Sequence, residues 1–194
     1  MNTHRRLASI LAVLAAAGCV ATAADITGTI TLKGTPPPEK AITPLKEDPT
    51  CGKLHADVPK TRFYVVGPNA GLADVVVSLQ GISGKSSGPS AKPLLLDQKG
   101  CEYIPSILAL QTGQKLDVKN SDPVLHNVHV VPDPASGNKE ANNAQMANTP
   151  DISMTFAKPE MFLKFKCDVH PWMFAWISVF DHPYFDVSDK DGTF

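Results

Sequence analysis

Met161-Phe162-Leu163-Lys164-Phe165-Lys166-Cys167-Asp168-Val169-His170-Pro171-Trp172-Met173-Phe174-Ala175-Trp176-Ile177-Ser178-Val179-Phe180 decides the reading of the chain. Residues Met161 to Lys166 read as one strand and Ala175 to Phe180 as its return, with apolar residues recurring at the strand period of two. The connection between them carries Cys167, His170 and Met173, each separated from the next by two residues. A short loop between paired strands can turn all three side chains toward one point. A thiolate, an imidazole and a thioether together suit copper, which cycles between a softer Cu(I) and a harder Cu(II). Zinc accepts Cys and His, but a thioether is an odd fourth ligand for it.

Working outward, a trigonal site needs a second imidazole. His126 opens the segment His126-Asn127-Val128-His129-Val130-Val131, just after the turn Ser121-Asp122-Pro123. On a strand, His126, Val128 and Val130 share one face, while Asn127, His129 and Val131 share the other. If the valines face the core, His126 points inward with them and His129 points away. His129, His55 and His182 therefore read as exposed or outlying histidines. Before this strand, Lys115 to Asn120 alternates strictly after the turn Thr112-Gly113-Gln114. Further short apolar runs lie at Ile26–Leu32, Arg62–Val66, Val75–Leu79, Leu94–Leu96, Ile104–Leu110 and Ile152–Phe156. Pro36-Pro37-Pro38 cannot join a central strand, and residues 39–62 read as an irregular arm. Residues 132–151, rich in Pro, Asn, Ala and Gly, read as a long loop with a helical turn around Lys139–Met146. Seventeen prolines and 13 glycines favour such short strands and turns over long helices. Many short strands with no internal repeat point to an all-β sandwich.

The N-terminus has a basic head, Met1 to Arg6, then an apolar run from Leu7 to about Val20 and the small residues Ala21-Thr22-Ala23-Ala24. This is the pattern of a secretory signal over residues 1–24, and the run is too short for a convincing membrane span. A lipid anchor at Cys19 is the competing reading, although the usual Leu is missing three residues before it. Without the leader's two arginines, 16 basic residues face 19 acidic ones, a net charge of −3. No basic excess is available to grip a nucleic-acid backbone. Export places the protein in the periplasm, where disulfides persist. Of four cysteines, Cys19 leaves with the leader or takes the lipid. Cys167 sits among soft ligands, so the economical assignment pairs Cys51 with Cys101 and leaves Cys167 as the odd thiolate.

The stretch from Cys101 to Phe180 resembles the cupredoxins, the blue copper proteins, and among them the amicyanin and plastocyanin-like forms. The resemblance is carried by Gly113, the alternating strand Leu116 to Asn120, His126-Asn127, and the short Cys167-His170-Met173 loop with Pro171. It implies a Greek-key β-sandwich with one type 1 copper ion. His126, Cys167 and His170 are the implied in-plane ligands and Met173 the weak axial one. Asn127 is then the residue that braces the ligand loop by hydrogen bonds. In the family the edge of the second histidine is the usual exit for electrons, which places Trp172 on an apolar docking surface around His170.

The resulting organisation is a signal peptide at 1–24, a cupredoxin-like domain at 25–182, and a tail at 183–194 that reads as the cut-short start of a further β element. Within the domain, residues 101–182 are the core and 25–100 an N-terminal elaboration, expected as extra strands on the sandwich. The expected function is a periplasmic one-electron carrier rather than an enzyme, exchanging electrons with a redox protein such as a cytochrome or dehydrogenase. A copper enzyme would need a further copper centre, commonly built from His-x-His pairs, and the sequence has none. The alternative is a copper-storage or carbohydrate-associated structural module.

Overall fold

Two mixed β-sheets face one another across a core centred on Phe165, Leu163 and Ile177. The computed structural model describes residues 25–194, so the signal peptide and Cys19 lie outside the described residues. The strands are β1 (Val76–Ser78), β2 (Leu94–Gln98), β3 (Tyr103–Ile104), β4 (Ile107–Gln111), β5 (Leu116–Asn120), β6 (His126–Val131), β7 (Ala141–Gln145), β8 (Ile152–Met154), β9 (Glu160–Lys166), β10 (Phe174–Phe180) and β11 (Phe185–Val187). Among the described residues the one α-helix, α1, spans Thr43–Glu47. Among the described residues, no helix is long and apolar enough to cross a membrane.

One sheet has the order β4-β10-β9-β6-β7 and the other β3-β2-β5-β8. Pairings β4/β10 and β2/β5 are parallel and the rest antiparallel, the crossed order of a Greek-key sandwich. The inward row of each strand follows from its alternation. In β5 these are Leu116, Val118 and Asn120; in β10, Ala175, Ile177 and Val179; in β9, Leu163 and Phe165. Each large apolar side chain removed from water contributes roughly 1.5–3 kcal/mol. Continuing these rows past the strand ends brings Cys167 (2% exposed) and Met173 (1%) to the same end of the core.

Several sequence expectations change in the structure. The helical turn expected around Lys139–Met146 is a strand: β7 pairs antiparallel with β6 from Val130↔Ala141 to His126↔Gln145. Asn142 and Asn143 are weak helix formers, and the open edge of β6 supplies the backbone partners. The run Ile104–Leu110 is broken at Pro105-Ser106, because proline cannot continue a ladder; β3 lies in one sheet and β4 in the other. Residues Ile26–Leu32 make only the isolated bridges Thr29↔Thr193 and Thr31↔Gly71. His182 is buried rather than exposed, packed between the rings of Phe180 and Tyr184, and its Nδ1 accepts the N–H of Tyr184.

The N-terminal region divides. Strand β2 lies inside the sandwich between β3 and β5, so the sandwich extends upstream of Cys101. Residues of the 183–194 tail fold back on the elaboration: β11 pairs with β1, and Gly28 and Phe194 exchange backbone hydrogen bonds. The arm at 39–62 crosses the ligand-loop end of the sandwich. There Leu45 of α1 packs with Cys51 and Cys101 against Trp172. The Cys51–Cys101 disulfide (Cα–Cα 5.7 Å) pins the arm to the turn after β2.

Candidate metal centre

His126 Nδ1 and His170 Nδ1 lie 3.0 Å apart, and His170 Nδ1 is 3.6 Å from Cys167 Sγ. These three donor atoms all fall within 4.8 Å of one another, and all three residues are buried. His126 is there because β6 begins with an inward position. The other two come from the hairpin, whose loop is tied at both ends: Cys167 N–H donates to the carbonyl of Met173 at 3.0 Å, and Met173 N–H to that of His170 at 2.9 Å. Met173 packs into the same buried cluster as Cys167. Cys167 is the free cysteine among the described residues. The structure thus brings together three of the expected donors, His126, Cys167 and His170, and buries Met173 in the same cluster as Cys167. His129 stays outside, its ring nitrogens against Asp168 (2.7 Å) and Glu140 (2.8 Å).

Asn127 sits directly behind the sulfur. Its backbone N–H donates to Cys167 Sγ at 3.5 Å, and its side-chain oxygen accepts the N–H of Asp168 at 2.6 Å and of Val169 at 3.4 Å. Its amide donates to Asn142 (2.6 Å) and Asp168 (3.1 Å). One side chain therefore fixes β6, β7 and the ligand loop relative to each other.

The residue that sequence reasoning missed is Asp122. Its buried carboxylate accepts the N–H of Gly100 at 2.6 Å, the N–H of Cys101 at 2.7 Å and His126 Nε2–H at 2.9 Å. A histidine that donates one ring N–H to a carboxylate presents the other nitrogen, here Nδ1, to a metal. The sequence shows Asp122 only as part of a Ser-Asp-Pro turn. The available signal was its spacing of four residues before His126.

Electrostatics follow from these contacts. Burial pushes the Cys167 thiol up, but His126 and the N–H groups of Asn127, His170 and Val169 outweigh it and hold the thiol below its ordinary range. Burial also opposes charge on His126, yet Asp122 and Cys167 raise it. His170 is lowered, by burial and by its cationic neighbour His126.

The disulfide reaches this cluster too, with a Cys51 and a Cys101 sulfur within 4.8 Å of a ring nitrogen of His170. Trp172 donates its indole N–H to the Cys101 carbonyl at 3.1 Å, and its ring centroid is 5.3 Å from that of His170. The resemblance implies an open His170 edge. Here the arm covers it: His170 is 6% exposed and Trp172 is half-buried.

The crossed order of the two sheets, with donors at the start of β6 and in the β9–β10 loop, decides the architecture. The fold is cupredoxin-like. Neither a protein-family model nor a curated protein sequence matches the chain. Among solved structures, the chain is similar to a Cu(I) form of an amicyanin variant at 17% identity and TM-score 0.40, over 54% of this chain and 97% of that one. An oxidised form of another amicyanin variant aligns at 18% identity and TM-score 0.40, over 55% of this chain and 93% of that one. The copper-containing nitrite reductase of Thermus scotoductus SA-01 aligns at 20% identity and TM-score 0.41, over 46% of this chain; the chain spans 22% of that enzyme.

Proposed function

We propose that this cupredoxin-like chain is an exported type 1 copper protein that carries single electrons in the periplasm. The observation that carries the reading is the convergence of His126 Nδ1, His170 Nδ1 and the free thiol Cys167 at one buried point. This donor set fits copper: two imidazoles and a thiol held toward the thiolate, with the thioether of Met173 buried in the same cluster as the weak fourth ligand. Bound copper would supply a one-electron centre that cycles between Cu(I) and Cu(II). The chain's residues do the rest. Asp122 holds the tautomer of His126, Asn127 places hydrogen bonds around the Cys167 sulfur, and backbone hydrogen bonds close the hairpin from Cys167 to Met173 and from Met173 to His170. Such bracing limits rearrangement, which is what a carrier requires.

The partners would be a donor and an acceptor protein, a cytochrome or a dehydrogenase, meeting the surface at Trp172. The covered edge of His170 favours a second reading, in which the same site stores or delivers copper. A visible absorption and EPR spectrum of the Cu(II)-loaded chain tests the metal, with Cys167→Ser beside it. An intense thiolate-to-copper band with narrow hyperfine splitting, lost in the variant, is expected. A pale spectrum unchanged by the substitution would sink the type 1 assignment. Reversible voltammetry then separates carrier from store, since a store need not cycle.

A further inference from the structure

Between the arm and the sandwich lies a cavity of about 620 Å³, in the range of small-molecule sites. Its walls come from 40–44 and 60–62 of the arm, 63–64 and 72–75 of the elaboration beyond it, 102–107 around β3, and 172–176 at the start of β10. Six aromatic residues line it: Phe63, Tyr64, Tyr103, Trp172, Phe174 and Trp176. Both tryptophans of the chain are among them. Phe63 is 65% exposed and Tyr64 41%, rings left in water on the wall of a cavity rather than packed into the core.

The charges at this cavity are Lys40, Lys60, Arg62, Asp74 and Glu102. Arg62 is committed to Asp74 at 3.2 Å. Glu102 is half-buried on the β3 wall, with burial raising its carboxyl above the usual range. Lys40 and Lys60 make no ion pair among the described residues. The Ala41↔Lys60 bridge sets the two lysines on adjacent extended segments, Lys60 on the face of Ala41 and Lys40 on the other, so their ammonium groups flank the paired segments. Aromatic walls with two uncommitted ammonium groups suit a planar ring bearing negative charge. Stacking supplies contact area, and the lysines supply the preference for an anion.

We infer that this cavity is a binding site for a small aromatic carboxylate, seated among Phe63, Tyr64, Trp172 and Trp176 with its charge toward the rim that carries Lys40 and Lys60. The site adjoins the candidate metal centre through Trp172 and Met173, both of which line it. It does not depend on the metal, because none of its charged groups is a proposed ligand.

Tryptophan emission reads this site directly, since both tryptophans lie on its walls. The full chain is titrated at low salt with 3-phenylpropionate and with its neutral analogue 3-phenylpropanamide. A saturable change is expected for both, with the anion bound about fivefold more tightly, the scale of a solvent-exposed ion pair. That preference should collapse in 1 M salt, where screening acts within about 3 Å. It should also vanish in Lys40→Gln/Lys60→Gln, a surface double variant, while the amide binds as before. No saturable response to either compound, or equal affinity for both in the unaltered chain, overturns the assignment. Cys167→Ser should leave the titration unchanged, so a failure of the copper reading and a failure of this one are distinguishable.

Discussion

Replacing Asp122 by alanine removes one carboxylate and three hydrogen bonds: those from Gly100 N–H, Cys101 N–H and His126 Nε2–H. An abandoned buried donor costs about 1–3 kcal/mol. Water can reach Gly100, which is half-buried, so the three losses should total about 3 kcal/mol rather than the upper limit. For a chain of this size that is a fall in Tm of about 10 °C. The metal-binding effect is separate. Without its acceptor, His126 is free to rotate and to carry its proton on Nδ1, so Cu(II) affinity should fall about 10- to 100-fold. Asp122→Asn is the control: its single carbonyl oxygen can still face Cys101 and His126, so more than half of both losses should be recovered. Thermal melts of the metal-free variants and competitive copper titrations measure the two quantities. If Asp122→Ala melts within 2 °C of the unaltered chain and binds copper equally well, the carboxylate is not the brace described above.

Acid should destabilise the chain through the same residue and others. Asp122, Asp48, Asp117 and Asp189 all have carboxyls held below the ordinary range by hydrogen bonds, against burial where burial opposes them. A depressed carboxyl contributes stability that is present above its unfolded pKa of about 3.9 and is lost as pH falls through its folded value, so urea midpoints should drop below about pH 4 and Asp122→Ala should flatten that limb. Cys51→Ser/Cys101→Ser opens a loop closed across 50 residues, and chemical denaturation should show a loss of up to about 4 kcal/mol. Leu163→Ala empties the centre of the core and should cost about 2–5 kcal/mol by the same measurement, with the copper spectrum intact if the remaining fold holds. Asn127→Ala leaves the Asp168 N–H unpaired and frees the ligand loop, and should shift the thiolate-to-copper band while lowering stability by about 1–3 kcal/mol.

What could be read in the sequence was local in character. The inward face of His126 with Val128 and Val130, and the hairpin that carries Cys167, His170 and Met173, follow from strand alternation within a few residues. The Cys51–Cys101 disulfide followed from compartment and elimination. The unread features depend on distant partners. Residues Ala141–Gln145 carry no strand pattern of their own, and they are extended because β6 offers an edge. His182 has a polar identity but is buried where the chain turns from β10 into β11, between the rings of Phe180 and Tyr184 and near Phe185. Asp122 looks like an ordinary turn residue until the turn at Gly100-Cys101 arrives beside it. The covering of His170 and the cavity next to it belong to an arm whose path over the sandwich no periodicity specifies.

Cys167 and Met173, two of the candidate donors in the hairpin, extend the same alternating rows that build the core, and that link has a consequence for quality control. A chain whose β9 or β10 paired one residue out of register would turn Leu163, Phe165 and Ile177 to water, and with them the thiol and the thioether. Such a chain could not assemble the three-donor pocket at all. If the site takes the proposed copper, loading would reward only chains whose strand pairing is already correct.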